Sequence, residues 1–366
     1  MKKNIAFIIY SLNSGGAERV VSTLSNGLSN VYNVTIITII NTKPFYQLND
    51  SVNVISCESN ANNKNNFITS LTTNYNIYKN IKNICKNQSI DILIGFMTTT
   101  NILTILAAKR LKKPVIVSER IYPVFGKLSK FWRIMRRITY PKTDVLVVQT
   151  KPILEYFNSY IKTERLKILA NPISSKLIEA KNNIHIPKEN IILNVGRLTN
   201  QKGQDIVIKA FSQINPSNWQ LHLVGEGPKR KEYTNLINQL GMKDKILLTG
   251  RNNEISRYYL RSKIFVFPSR FEGFPNALTE AMYMGLPSIS TDCPTGPSEL
   301  IKDGMNGFLT PLNDINLFSE KIKELIDNTE MRDQMGRNAA KSVIHLEENK
   351  VVKEWQKLIS VTLNNS

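Results

Sequence analysis

The chain is short of cysteine, of histidine, of long apolar runs and, over its first half, of acid. Cys57, Cys85 and Cys293 are far apart and odd in number. This excludes a disulfide framework and a cysteine metal cluster, and it fits a reducing compartment. No apolar run approaches the roughly 18 to 20 residues that span a bilayer. Lys2-Lys3 followed by Ile5 to Ile9 is too short for a secretory signal and runs into a polar Gly-rich turn, so it reads as a first β-strand. The expected location is cytoplasmic. Residues 1–170 carry 23 Lys+Arg against 8 Asp+Glu, a balance of +15, whereas residues 171–366 carry 25 against 21, a balance of +4. Such asymmetry points to an anionic partner for the first half, nucleic acid or a membrane surface.

With 366 residues, 42% of them hydrophobic and 21% charged, the chain exceeds one hydrophobic core and predicts two globular domains. Short apolar runs alternate with helical periodicity. Strands are expected at residues 5–10, 34–40, 92–96, 115–118, 145–149 and 166–169, with helices at 18–28, 75–86 and 102–111 among them. The Asn-rich stretch from Glu58 to Asn76 reads as a surface loop, and residues 172–188, with Pro172 and Pro187, read as a linker. A second alternation follows, with strands at 191–195, 220–224, 246–249, 264–267 and near 287–290, and helices at 205–211, 230–240, 255–260 and 314–328. Two tandem doubly wound α/β units are predicted, whose ligands bind beyond the carboxyl ends of strands. Residues 349–359 read as a last amphipathic helix.

The strand ends carry the chemistry. Glu272 and Glu280 lie eight residues apart, Glu272 in the loop after an apolar strand and Glu280 on the following helix, for which Pro275 is the expected first residue. A carboxylate among Leu278, Ala281 and Met282 needs partners, because burying it alone is costly; sugar or ribose hydroxyls would serve, and so would a structural ion pair. Arg197 and Lys202 leave another strand end, a pairing that suits a diphosphate leaving group or a plain solvated loop. Gly15-Gly16 opens a helix and offers bare N–H groups to an anion, although a simple tight turn has the same signature. Gly225-Glu-Gly227 and Thr249-Gly-Arg251 place small residues at two further strand ends, where a planar ring could approach the backbone.

Gly15-Gly16-Ala-Glu-Arg, Gly196-Arg197 with Lys202, Gly225-Glu-Gly227, Glu272-x7-Glu280 and Glu299, in this order over nearly the whole chain, resemble the retaining nucleotide-sugar glycosyltransferases of family GT4. Ser118-Glu119-Arg120, Asn171-Pro172 and Cys293-Pro-Thr-Gly-Pro are similar to the subgroup that assembles bacterial surface polysaccharides and lipid-linked oligosaccharides. The resemblance implies the GT-B fold, two Rossmann-like domains facing across a cleft. Residues 1–172 would form an acceptor-side domain with 344–366 packed back on it, and residues 185–343 a nucleotide-sugar-binding domain. It implies transfer of a hexose or N-acetylhexosamine from a UDP-linked donor to a lipid-linked or growing surface glycan, with no cofactor and no metal. Arg197 and Lys202 would clamp the diphosphate with Gly15 and Gly16 opposite, Glu272 the sugar and Glu280 the ribose. Gly273, Phe274, Asn276 and Arg251 would complete the donor site. Many relatives place a histidine where this chain has Ser118-Glu119-Arg120, so Glu119 or Arg120 would contact sugar or acceptor instead. The alternatives are a non-catalytic nucleotide-sugar-binding scaffold, and an epimerase or phosphorylase on a similar fold.

Residues 109–142 hold eleven Lys/Arg and one acid, Glu119. Within them, 127–138 predicts an amphipathic helix with Leu128, Phe131, Trp132, Met135 and Ile138 on one side and Lys130, Arg133, Arg136 and Arg137 around the other. It suits peripheral attachment to the inner face of the cell membrane, or grip on an acceptor diphosphate, or simple packing on the sheet. No nucleic-acid module is recognisable, so nucleic acid is not an expected partner.

Overall fold

The computed structural model describes residues 1–57, 67–126, 128–252 and 254–365. Its strands are β1 (Asn4–Ile9), β2 (Asn33–Thr38), β3 (Asn53–Ser56), β4 (Ile92–Phe96), β5 (Val115–Ser118), β6 (Val145–Val148), β7 (Leu166–Ile168), β8 (Ile191–Val195), β9 (Gln220–Val224), β10 (Ile246–Gly250), β11 (Ile264–Phe267), β12 (Ser288–Thr291) and β13 (Gly307–Thr310). Its α-helices are α1 (Gly16–Leu28), α2 (Phe67–Asn87), α3 (Thr98–Leu111), α4 (Lys130–Thr139), α5 (Lys151–Asn158), α6 (Ser175–Asn183), α7 (Gln204–Ile214), α8 (Arg230–Gln239), α9 (Ile255–Arg261), α10 (Asn276–Tyr283), α11 (Pro297–Leu300), α12 (Ile315–Asp327), α13 (Thr329–Ser342) and α14 (Glu348–Asn364).

The chain divides into two compact units, Met1–Pro172 with Glu348–Ser366, and Ile173–Glu347. The first holds a sheet in the order β3-β2-β1-β4-β5-β6-β7 and the second a sheet in the order β10-β9-β8-β11-β12-β13. Every ladder between these strands is parallel. Parallel strands covered on both faces read as continuous apolar runs rather than alternations. Along β1, Ala6 and Ile8 enter one core cluster while Ile5, Phe7 and Ile9 enter another on the opposite face. The α14 residues Val351, Val352, Trp355 and Ile359 join that second cluster, and the Trp355 indole stacks on Phe96 at 5.9 Å.

Several expectations change. The segment expected as a linker carries α6, whose Leu177 and Ala180 are buried, and Ile173 N–H donates to the Leu346 carbonyl at 2.8 Å within the second unit. Helix α2 begins at Phe67, inside the stretch expected to be loop, while residues 58–66 lie outside the described chain. Pro275 caps α10 rather than opening it (φ −85°, ψ 69°). Strands β3 and β13 and helices α5, α11 and α13 are additional to the pattern read from the sequence.

Candidate donor site

In both sheets the strand order reverses at one place, between β1 and β4 and between β8 and β11. Crevices at the carboxyl ends of strands flanking such a switch point are where doubly wound sheets hold ligands. Lys202 follows β8 and Glu272 follows β11, so the two residues stand on either side of the second unit's switch point.

Lys202 Nζ lies 2.6 Å from Glu272 Oε1, with the lysine side chain 22% exposed and the glutamate 6%. Lys202 also sits over the Phe267 ring, 5.2 Å from its centroid. The loops that carry the pair are tied by Arg270, whose guanidinium grips both oxygens of Asp205 at 3.0 and 2.7 Å and donates to the Asn200 carbonyl at 2.7 Å. Gln201 Nε2 donates to Phe271 O at 3.0 Å, and Thr295 Oγ1 donates to the Glu272 carbonyl. Gly203 allows this closeness: it has φ +65°, and a Cβ there would meet the Pro268 carbonyl oxygen at 2.0 Å.

Arg197 is exposed, and no ion pair engages it among the described residues. Gly225, at φ +148°, would place a Cβ 2.0 Å from the Gly196 carbonyl oxygen. A Cβ at Gly227 would likewise meet the Leu198 carbonyl oxygen at 2.3 Å, so both glycines lie close against the backbone of the loop after β8. Arg197 is carried on that closely packed backbone. Glu280 is buried on α10, and Tyr259 OH donates to its Oε2 at 3.0 Å. Gly273 and Phe274 occupy the turn between the glutamates and Asn276 opens α10, all three half-buried. Arg251 is exposed after β10, two strands and so about 10 Å from β8. Exposed Glu299 lies on α11. Burial pushes the Cys293 thiol up to about 12, with the Glu272 charge adding to the effect.

In the first unit, Gly15 caps α1 with no side-chain cap bond. The Glu18 carboxyl of the helix's own first turn lies over it, 2.0 Å from where a Gly15 Cβ would be, so an intrinsic acid already meets the positive helix end. After β5, Glu119 is wholly buried. Thr98 Oγ1 donates to both of its oxygens at 3.0 and 2.8 Å, Tyr140 OH donates at 2.8 Å and Arg120 N–H at 3.2 Å. Burial raises its pKa above the usual carboxyl range against these hydrogen bonds. Sequence reading missed Arg270, Asp205, Tyr259, Thr98 and Tyr140, because each earns its place through a partner distant in the chain, and it met Thr295 only as part of the Cys293-Pro-Thr-Gly-Pro motif. Arg270, inside the Glu272 loop, is the one with a local signal.

Helix α4 differs from expectation. Trp132 and Met135 pack toward the core beside buried Arg136, whereas Phe131, Ile134 and Ile138 are exposed among Lys130, Arg133 and Arg137. Arg136 is accommodated by α5: its Nη2 donates to Tyr156 OH at 2.9 Å, and its guanidinium lies 5.5 Å from the Tyr156 and 5.6 Å from the Phe157 ring centroids. Lys127 lies outside the described residues.

Comparison with known proteins places this geometry. Residues 14–176 match the model of glycosyltransferase family 4, and residues 176–342 that of glycosyl transferases group 1. A Campylobacter jejuni α-1,4-N-acetyl-D-galactosaminyltransferase, named for GalNAc-α-(1→4)-GalNAc-α-(1→3)-diNAcBac-PP-undecaprenol, is 31% identical over 98% of this chain and 99% of its own. A second from that organism, an N-acetylgalactosamine-N,N'-diacetylbacillosaminyl-diphospho-undecaprenol 4-α-N-acetylgalactosaminyltransferase, is 29% identical over 93% of this chain and 94% of its own. A glycosyltransferase structure from Rickettsia africae superposes with a TM-score of 0.85 at 19% identity, covering 100% of both chains. The chain belongs to glycosyltransferase family 4, has the GT-B fold of two Rossmann-like parallel-sheet domains, and is a glycosyltransferase.

Proposed function

We propose that the chain transfers a hexose or N-acetylhexosamine from a UDP-linked donor to a lipid-linked or growing surface glycan, with retention of configuration and without a metal or cofactor. The observation that carries this is the Lys202–Glu272 pair astride the switch point at 2.6 Å, with exposed Arg197 at the same strand end. Lys202 and Arg197 would meet the donor diphosphate, assisted by the N-terminus of α10. Glu272 would then turn from its lysine to sugar hydroxyls, and Glu280, steadied by Tyr259, would take the ribose hydroxyls. The acceptor class rests on the two Campylobacter relatives, both named for undecaprenyl diphosphate-linked sugars.

In the step itself, the bond from the anomeric carbon to the leaving phosphate oxygen breaks while the acceptor oxygen bonds on the same face. The acceptor proton passes to the leaving diphosphate. The protein's share is positioning and charge stabilisation; neither glutamate acts as a covalent nucleophile. Among the described residues no helix is long and apolar enough to cross a membrane. The exposed Phe131, Ile134 and Ile138 interleaved with cations on α4 support peripheral attachment to an anionic surface, the inner face of the cell membrane.

A panel of nucleotide sugars, assayed for turnover with and without chelator and a prenyl-diphosphate-linked sugar acceptor, tests the proposal. Turnover of a UDP-sugar in chelator, with an α-linked product from an α-linked donor, is expected. A panel with no UDP-sugar turned over, or an inverted product, contradicts it.

A further inference from the structure

Arg120, directly after β5, is held by only part of its guanidinium group. Its guanidinium lies over the Phe96 ring, 4.7 Å from the centroid, and its Nη1 donates to Asn171 Oδ1. Phe96 is backed in turn by Trp355. The plane is therefore fixed on one face and at one corner. The remaining edge, Nε with Nη2, is enclosed, and neither nitrogen has a hydrogen-bond partner among the described residues.

That edge is a matched pair of parallel N–H donors. Elsewhere in the same protein Arg261 uses these two nitrogens on the two oxygens of Glu189, both at 2.9 Å. Two enclosed guanidinium donors left unmet cost more than the bonds of an ordinary surface arginine, so such groups call for a partner. The fork geometry fits two oxygens of one anion, a phosphate or carboxylate.

The neighbouring acid does not fill the role. Glu119 is held by Thr98, Tyr140 and the Arg120 backbone N–H, with its side chain wholly inside the unit. Burial draws the Arg120 guanidinium down to about 9, which still leaves it cationic at neutral pH. Arg120 also stands at the carboxyl end of β5, the neighbour of β4 and one strand from the first unit's switch point, the end of the sheet at which doubly wound folds hold ligands.

We propose that the Nε–Nη2 edge of Arg120 is a phosphate-binding fork of the first unit, taking two oxygens of a substrate diphosphate. This rests on the proposed function for the nature of the substrates, and two sources share the chemistry: the nucleotide diphosphate of the donor and the prenyl diphosphate of the acceptor. Phe96 and Asn171 act as positioning residues that hold the fork, and Glu119 supports it without neutralising it.

The test uses the full chain, wild type and Arg120→Lys, with UDP and a short prenyl diphosphate as separate probes. Lysine keeps the charge but lacks the two-donor edge. The expected result is an affinity loss of about tenfold or more for one probe, with the other within about twofold and an unchanged melting temperature. The probe that weakens identifies the source. In the wild type, that same probe shifts the Arg120 Nε–H signal in nitrogen-15 spectra, assigned by its disappearance in the variant. This signal keeps the question answerable if the lysine variant folds poorly. Unchanged affinity for both probes, or equal losses with a lowered melting temperature and no Nε–H shift, overturns the proposal. Wild-type protein that binds the prenyl diphosphate through Arg120 but not UDP would refute the donor reading and leave the fork standing; binding of neither probe refutes both.

Discussion

Lys202 and Glu272, seventy positions apart in the sequence, meet at 2.6 Å across the β8–β11 switch point, and the glutamate is the more deeply buried of the two. On the proposed function the pair has a structural and a binding role, and mutation separates the two. Lys202→Ala strands a buried carboxylate and should cost about 1–3 kcal/mol, below the full value for a wholly buried pair because the lysine is partly exposed. Lys202→Ala/Glu272→Gln should recover much of that stability. Both variants should lose transfer activity by about 100-fold or more, as expected for removal of charge stabilisation. Denaturant unfolding alongside transfer rates checks this; a double variant that regains activity with stability would make the pair purely structural.

The backbone contact at Gly225 should report on Arg197. Gly225→Ala places a methyl group against the Gly196 carbonyl in a backbone region unfavourable to alanine. The Arg197 loop must shift. A stability loss of about 1–3 kcal/mol is expected, with a KM for the donor raised more than kcat is lowered. Steady-state kinetics at varied donor concentration decide the matter, and unchanged KM would detach Arg197 from donor binding.

Glu119 makes the stability depend on pH in a defined direction. Its folded pKa is raised by burial, so over the interval above the ordinary carboxyl value the folded state holds a proton that the unfolded chain has released. Stability then falls as pH rises through the raised pKa. Glu119→Gln has no such proton, and its melting temperature relative to wild type should climb between about pH 4.5 and the folded pKa. A difference that stays flat, or runs the other way, would mean the carboxyl is ionised in the fold.

Helix α4 should behave as a surface anchor with two separable components. Ile134→Ser/Ile138→Ser removes exposed apolar contact, and Arg133→Ser/Arg137→Ser removes charge. Each pair should weaken sedimentation with anionic vesicles, the charge pair by about 2 kcal/mol from about 1 kcal/mol per cation. Only the charge pair should also lose sensitivity to salt. Wild-type protein that ignores anionic vesicles would remove the membrane from the account.

What the sequence disclosed follows from how parallel sheets are built. Strands such as Ile264–Phe267 are buried on both faces and stand out as apolar runs, so the loops after them, and with them Lys202 and Glu272, could be located. The face of α4 could not. Trp132, Met135, Arg136 and Thr139 share one helical face, and only the Tyr156 and Phe157 rings of α5 make a buried arginine acceptable there. Glu119 was conspicuous in the sequence, but its setting was not, because Thr98 and Tyr140 come from two other segments. Strand β13, only Gly307–Thr310, and the polar helix α13 gave too little periodicity to register.

The central claim is that the second unit's switch point holds the nucleotide diphosphate, and calorimetric titration of UDP tests it most directly. Wild-type protein should bind, Arg197→Ala and Glu280→Gln should each weaken binding about tenfold or more, and Glu254→Gln, on an exposed residue flanking α9, should bind as wild type. Full UDP affinity in both Arg197→Ala and Glu280→Gln would contradict the account.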